Sequence, residues 1–452
     1  HELTHVVQAR NAGGGASKRV SRPGEPAERE ADALSRKAAS GEPVTVAEAS
    51  QGIHGDWMDD ALNAVGDALN MRDNEVELDA LEELEKFRAK AFTPLTDHAP
   101  SSGLGLFDVA FDAASGRMTV TLKVKYDFVN GNAASVAPGF RPEEFTWTGA
   151  EKAAWKTRYQ TDVSAMWSSQ HQFKSTKPHW DAMVVDTSVV VTEDAGDPHY
   201  VLSVSKYPDD ADMTGSSVCD PGYHHSGAVC AQNAADAAGN RPNHGSGEFD
   251  SNDTRPEQKL DWGNATTPVQ FGAGATALNG AARAALAPII TQLKGNAAAH
   301  VELTGHSNNV HKRGVDAAQG AIDNMDLARG RTAAVAAHLQ AAGIGAERIQ
   351  SRNVGEQGAD DTAAWRRVDV QVGTRQTQNP GLHETGHMLG LGDEYTAIDP
   401  AYQAMVTNTT GQVLAQGNNE SAMSMGSTVQ PWHYSSFLEA LRAVSGMNEW
   451  SL

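Results

Sequence analysis

The chain has 452 residues, of which 40% are hydrophobic and 21% are charged, and its formal net charge is −21 at pH 7. This composition is typical of a folded globular protein, and the length predicts about three domains. The acidic charge argues against nucleic acid and anionic membranes as partners, and no apolar run approaches the roughly 20 residues of a membrane span.

The chain opens on the sequence HELTH, in which His1 and His5 stand one helical turn apart. Two histidines at this spacing can bind one zinc ion, with Glu2 as general base and Glu28 as third ligand. HELTHVVQ followed by EREAD resembles the gluzincin arrangement. More narrowly, it resembles a metallopeptidase domain encoded beside extracellular contractile injection systems, which implies a toxin effector or accessory protein that partners with an injection particle. The alternative is a truncated remnant, because the chain starts inside the motif.

Residues 1–56 are predicted to form this helical segment and a linker, and residues 57–100 a helical connector. From residue 104 the hydrophobic period changes to two, which indicates half-buried strands. Apolar and polar residues alternate over 118–128, a helix is predicted over 149–169, and two strands are predicted within 181–207.

The only two cysteines, Cys219 and Cys230, lie in a loop-like stretch that also carries His224 and His225. One disulfide is the favoured interpretation. A Cys2His2 metal site and a pair of free thiols are the alternatives.

Strands and helices alternate over residues 266–374, which predicts an α/β module. The segments VELTGHSN, N-x-x-L-A-x-x-R and RRVDVQV resemble the OmpA-like peptidoglycan-binding domain. The resemblance implies a site in which an Asp and an Arg grip the diaminopimelate of peptidoglycan. Arg331 stands at the arginine position, but Asn308 stands where the Asp belongs, so the charge pairing with the ligand's ammonium group is lost. The alternative is a spacer or docking module.

A second zinc motif lies in HETGHMLGLGDEY, residues 383–395. His383 and His387 share one face of a predicted helix and can bind one ion. Catalytic zinc needs three protein ligands and an open position. Gly390 is expected to end the helix, since glycine tolerates positive φ, and Asp393 then becomes the third ligand.

Glu384 is the predicted general base, which takes a proton from the water that attacks a peptide carbonyl. HETGHMLGLGD resembles the metzincin consensus in its variant with Asp as third ligand, as in the snapalysins. ESAMSMGS at 420–427 resembles the Met-turn of that clan, with Met423 the better match and Met425 the spare. Glu394 competes with Asp393 for the ligand role.

His433 and Tyr434 follow the Met-turn-like segment in the cluster PWHY. Their side chains are candidates for hydrogen bonding to a tetrahedral intermediate. Simple packing is the alternative role.

The sequence thus predicts an α+β multidomain protein. Residues 104–265 and 375–452 are expected to form the two halves of a split metzincin-like peptidase domain, with an OmpA-like module inserted at 266–374. The predicted function is a Zn²⁺-dependent endopeptidase of the cell envelope or exterior, acting on protein or peptide substrates. The alternative is a peptidoglycan-binding or structural envelope protein with a non-catalytic metal site.

Overall fold

The computed structural model describes residues 77–211, 216–220, 244–255, 257–260, 266–395 and 397–452, all within one compact unit. The N-terminal candidates His1, Glu2, His5 and Glu28 lie outside the described residues, as do His224, His225 and Cys230. Among the residues described, no helix is long and apolar enough to cross a membrane.

A nine-stranded sheet is centred on strand β3 (Arg117–Asn130), whose alternate side chains are apolar and buried. The first half of β3 lies between antiparallel β2 (Phe107–Asp112) and parallel β5 (Val184–Glu193), and its second half pairs in parallel with β6 (Tyr200–Lys206). These strands agree with the sequence prediction. The other strands of this sheet are β1 (Leu95–His98), β4 (Gln172–Ser175), β7 (Ser217–Cys219), β8 (Gly245–Asp250) and β14 (Trp450–Ser451).

Helices from both ends of the described chain share one core with this sheet. Residues 77–88 are helical, and the helix Gly149–Trp167 is capped by Thr148 and buries Trp155, Tyr159, Val163 and Trp167, as its periodicity predicts. The C-terminal helices are Pro380–Met388, Pro400–Thr410 and Ser435–Ser445. The sequence did not predict the second of these helices.

The second sheet has five strands in the order β10 (Thr267–Gln270), β13 (Arg367–Gln378), β11 (Ala299–His306), β12 (Ile349–Gly355), with β9 (Glu257–Leu260) on the far end of β13. Its helices are Gly280–Gly295 and Ala317–Ala341. The second helix begins at Ala317, because Asp316 caps it by accepting a hydrogen bond from Gln319 N.

Strand β13 extends beyond the second sheet towards the C-terminal segment. Its last residues, 375–378, pair with β9, and only Asn379 separates them from the helix Pro380–Met388. The chain therefore leaves the core of the first sheet through β9 and returns to it through β13, and these two strands are antiparallel neighbours.

Ion pairs and a small apolar cluster fix the second sheet's helix Ala317–Ala341 to the first core. Arg329 Nε and Nη2 donate to the two carboxylate oxygens of Asp210 at 2.7 Å, and Nη2 also donates to Glu144 at 2.6 Å. Phe140 and Met325 pack in the cluster beside them. The two parts therefore touch through a specific contact as well as through the chain crossings.

Candidate functional site

The helix Pro380–Met388 carries both histidines of the C-terminal motif. Asn379 caps it by accepting from Leu382 N, and Pro380 occupies the first helical position. Gly390 has φ 94° and Leu391 N donates to Gly386 O, so the helix ends in the turn that the sequence predicts. Trp167 and Tyr159 hold the helix from one side through hydrogen bonds to Leu382 O and Thr385.

Three candidate ligand atoms converge at this helix. Asp393 Oδ1 lies 3.2 Å from His383 Nε2 and 3.3 Å from His387 Nε2. Two atoms about 2.1 Å from one tetrahedral zinc ion are about 3.4 Å apart, so these separations fit zinc. His383, Glu384 and His387 also form a group whose ligand atoms lie within 4.8 Å of one another.

Backbone carbonyls orient both imidazole rings. His387 Nδ1 lies 2.8 Å from Leu391 O, and His383 Nδ1 lies 2.9 Å from Ala422 O. A carbonyl can only accept, so each Nδ1 donates to its carbonyl, and each Nε2 faces the carboxylate of Asp393, where a metal ion would take the place of the Nε2 proton. This is the ring orientation that metal-binding histidines require.

The turn at residues 421–426 supports the helix from below. Met423 is fully buried, and its Sδ lies so close to Gly386 that a Cβ at that glycine would overlap it. The same turn supplies Ala422 O to His383 and Met423 O to Glu394 N. Met423 therefore packs against the helix that carries the two histidines, whereas Met425 is only partly buried.

Glu394 lies in the protein interior, away from the ligand role that the sequence left open for it. It is 1% exposed, and its Oε1 accepts from Trp432 Nε1 at 2.8 Å and from Tyr402 and His433 at 3.1 Å. Burial raises the pKa of Glu394, but the hydrogen bond and charge of His433 outweigh it and hold the pKa below its ordinary value. Glu394 therefore anchors the segment that presents Asp393.

The predicted role of His433 and Tyr434 in transition-state support is wrong for this geometry. Both are 0% exposed, and His433 Nε2 faces Glu394 while its Nδ1 accepts from Gln430 N. The Tyr434 hydroxyl donates to Trp167 O at 2.7 Å. The two side chains pack and orient the core, which was the alternative.

Burial and neighbouring charges shift the pKa values of His387 and Glu384. Burial lowers the pKa of His387, but the hydrogen bond and charge of Asp393 outweigh it and raise the pKa to about 10. A metal ion therefore competes with a proton for this position. Burial also raises the pKa of Glu384, and the histidines offset only part of that rise, as suits a general base.

Tyr395 is a residue that the sequence interpretation did not single out. Its ring centroid lies 5.9 Å from that of His383, and it is 43% exposed. The sequence shows that Tyr395 follows the candidate ligand Asp393 by two positions. Only the fold shows that its ring lies beside that of His383.

A second group that could hold a metal consists of Asp97, Asp108 and His199. His199 Nδ1 accepts from Lys123 N at 3.0 Å, which leaves Nε2 protonated and donating to Asp108. Lys123 Nζ lies 3.4 Å from Asp108 and 3.6 Å from Asp97. An ammonium group and an N–H already satisfy these carboxylates, so this group does not suit a cation.

In the second sheet, Arg331 is 0% exposed and donates to Ala275 O and His306 O. Its Nη2 is buried without a hydrogen-bond partner among the described residues. Burial and the charge of Arg366 lower its pKa to about 10. Asn308 is half-buried and donates to Asp361 O at 3.3 Å.

Cys219 is disulfide-bonded, in agreement with the favoured interpretation, and no cysteine among the described residues is free.

Residues 270–372 match the sequence model of the OmpA family, so this part of the chain is an OmpA-like domain and that resemblance is confirmed. The match covers less than a quarter of the chain and leaves out the two histidines. The match favours the alternative prediction, a peptidoglycan-binding or structural protein of the envelope. It does not bear on the predicted peptidase activity. No curated protein matches the chain.

Solved structures similar to the chain include an OmpA-like domain from Francisella tularensis, with 20% identity, coverage of 25% of this chain and 74% of that one, and a TM-score of 0.21. The peptidoglycan-associated lipoprotein from Burkholderia pseudomallei has 22% identity, coverage of 24% and 89%, and a TM-score of 0.20. The periplasmic domain of Helicobacter pylori MotB has 18% identity, coverage of 26% and 86%, and a TM-score of 0.21. At such scores these likenesses carry no functional argument.

Proposed function

We propose that the chain is a zinc-dependent endopeptidase of metzincin type. The observation that carries this proposal is that His383 Nε2 and His387 Nε2 lie 3.2 and 3.3 Å from Asp393 Oδ1, beside the buried carboxylate of Glu384. A bound zinc ion supplies Lewis-acid polarisation of a peptide carbonyl. In this proposal the host domain is split, with residues 104–265 and 375–452 on either side of the OmpA-like module.

The protein's own residues would divide the remaining work. Glu384 takes the proton of the attacking water, because its raised pKa brings it closer to the operating pH than that of an exposed carboxyl. Ala422 O and Leu391 O hold the histidine rings, and Met423 supports the helix beneath them.

Metal analysis and peptide hydrolysis by three matched proteins test this proposal. Wild type should hold one zinc at this site. His383→Ala should lose that zinc, and Glu384→Gln should keep it while hydrolysis falls by about 10²- to 10⁴-fold, because the general base is lost and the ligands are not. Hydrolysis that survives in Glu384→Gln, or zinc that survives in His383→Ala, would contradict the assignment.

A second candidate function is peptidoglycan binding by residues 270–372, which the family match favours. The buried Arg331 guanidinium has an Nη2 without a partner among the described residues, and a carboxylate of a peptide stem could accept from it. Asn308 weakens the case for a zwitterionic ligand, because its amide cannot neutralise an ammonium group. Envelope localisation follows from this candidate, whereas delivery by an injection particle rests on the N-terminal resemblance alone.

Sedimentation with purified peptidoglycan sacculi tests the second candidate. Arg331→Met should lower the bound fraction by about tenfold, because a charge-assisted hydrogen bond contributes roughly 1.5–3 kcal/mol. Arg348→Met is the control, since Arg348 also donates only to backbone carbonyls, but at the opposite end of β11. Equal binding by all three proteins would remove this candidate.

A further inference from the structure

We infer that Gln378 is a positioning residue of the candidate zinc site, and that through it the last strand of the OmpA-like module holds the turn at residues 421–426 and the ring of His383. Gln378 is the final residue of β13, a strand that also belongs to the core of the module. This inference rests on the proposed peptidase function. It makes the zinc affinity of the host domain depend on the register of the inserted one.

The first support is the contact that Gln378 makes. The residue is 4% exposed, and its Nε2 donates to Ser424 O at 2.7 Å. Ser424 lies in the turn whose Ala422 O accepts from His383 Nδ1 at 2.9 Å. Gln378 Nε2 also lies 3.0 Å from His383 Nδ1, which is a packing contact because that nitrogen donates to Ala422 O. One buried amide therefore restrains both the ring and the turn that orients it.

The second support is the register of β13. Val368, Val370 and Val372 point into the core of the OmpA-like domain, and Gln378 has the same parity along this uninterrupted strand. A shift of one residue in the pairing of β13 would turn all of these side chains to the opposite face. Packing of the module's core therefore selects the face on which Gln378 lies.

The third support is the short connection from β13 to the helix of the zinc motif. Asn379 alone separates Gln378 from the helix Pro380–Met388, and its side chain caps that helix. Just before the partner strand β9, Asp253 O accepts from Gly381 N at 3.0 Å, in the first turn of the same helix. Both arms of the strand pair thus hold the start of the helix, so a displacement of Gln378 is transmitted to it.

The experiment uses the full-length protein and measures the zinc Kd by chelator competition. The visible absorption spectrum of the Co²⁺-loaded protein reports the ligand geometry, and urea unfolding of the metal-free protein reports stability. Gln378→Met removes the amide at nearly constant volume. It should weaken zinc binding by about 10- to 100-fold and alter the Co²⁺ spectrum, because the ring of His383 and the turn that orients it lose their restraint.

Gln270→Met is the matched control. Gln270 lies on β10, pairs with the opposite end of β13, and also donates its amide to a backbone oxygen, Ala364 O. Its replacement should leave the zinc Kd and the Co²⁺ spectrum at their wild-type values.

Gln378→Asn tests the same hydrogen bond in a variant that keeps a polar amide in the interior. Its side chain is shorter by one carbon–carbon bond, about 1.5 Å, and therefore falls short of Ser424 O. The zinc Kd should be weakened in this variant as well, so the inference stays testable even if Gln378→Met does not fold.

Three results would overturn the inference. Wild-type zinc affinity and an unchanged Co²⁺ spectrum in both Gln378 variants would remove it and leave the peptidase proposal intact. A loss of unfolding free energy without a change in the zinc Kd would mean that Gln378 stabilises the fold and does not position the site. Failure of the wild-type protein to bind zinc would remove the peptidase proposal itself, and the inference with it.

Discussion

Glu394 and Asp393 are adjacent acids with opposite surroundings. Asp393 faces two imidazole rings, whereas Glu394 faces Trp432, His433 and Tyr402 in the interior. The spacing after His387 identified Asp393 from the sequence because that relation is local. The role of Glu394 could not be predicted, because its partners Trp432 and His433 come from a segment almost forty positions later and meet it only through the fold.

Replacing Glu394 tests whether this buried carboxylate positions Asp393. Glu394→Gln should cost about 1–3 kcal/mol of unfolding free energy, because the amide accepts from the same donors without a charge. It should also weaken zinc binding by about tenfold or more, since groups behind a ligand tune its affinity. Denaturant unfolding and chelator competition measure the two effects. The control Glu151→Gln alters the cap of Gly149–Trp167 instead, and a zinc affinity in Glu394→Gln equal to that of this control would count against the positioning role.

At the scale of elements, the central features of the fold could be predicted from local patterns. The alternation of residues 118–128, the helix around 149–169 and the glycine end of the zinc-motif helix all appear as expected. Strands β4 and β14 pair with each other although they lie far apart in the sequence. They are only four and two residues long, so their hydrophobic periodicity is too short to predict a strand.

The contact between Gly386 and Met423 links the helix Pro380–Met388 to the turn at residues 421–426. Met423→Ala should cost about 2–5 kcal/mol because it leaves a cavity, and Gly386→Ala about 1–3 kcal/mol because its methyl group overlaps the sulfur. The double variant should be more stable than the sum of the two predicts, since the new methyl group enters the space that the sulfur leaves. Urea unfolding of the four proteins measures the coupling, and strictly additive losses would show that the two residues do not compete for space.

On the scale of the whole molecule, Arg329 joins the OmpA-like domain to the first core. The Arg329 side chain is only 23% exposed and contacts Asp210 and Glu144, whereas the side chains of Arg141 and Asp326, which also pair, are 38% and 45% exposed. The sequence indicated an inserted module, but it could not predict this contact, because Arg329 occupies an unspecified position of the motif N-x-x-L-A-x-x-R and its partners Asp210 and Glu144 belong to no recognised motif.

Removing Arg329 should loosen the module from its host. Arg329→Ala is expected to cost about 2 kcal/mol, because it leaves two partly buried carboxylates without their cation, whereas Arg141→Ala should cost under about 1 kcal/mol. Differential scanning calorimetry should show the module unfolding separately from the first core in Arg329→Ala alone. A single shared transition in both variants would mean that the chain crossings, and not this ion pair, couple the two parts.

Strands β9 and β13 form the arms of a β-hairpin whose loop is an entire domain. Leu260 pairs with Arg375 at the outer end of the arms, and Glu257 pairs with Gln378 beside the helix that carries the two histidines. A hairpin can equally be closed by two residues, so an Asn-Gly turn between Leu260 and Arg375 would replace the domain without changing the register into that helix. The architecture thus provides for a shortened protein in which the chemistry of His383 and His387 can be studied apart from any ligand of the OmpA-like domain.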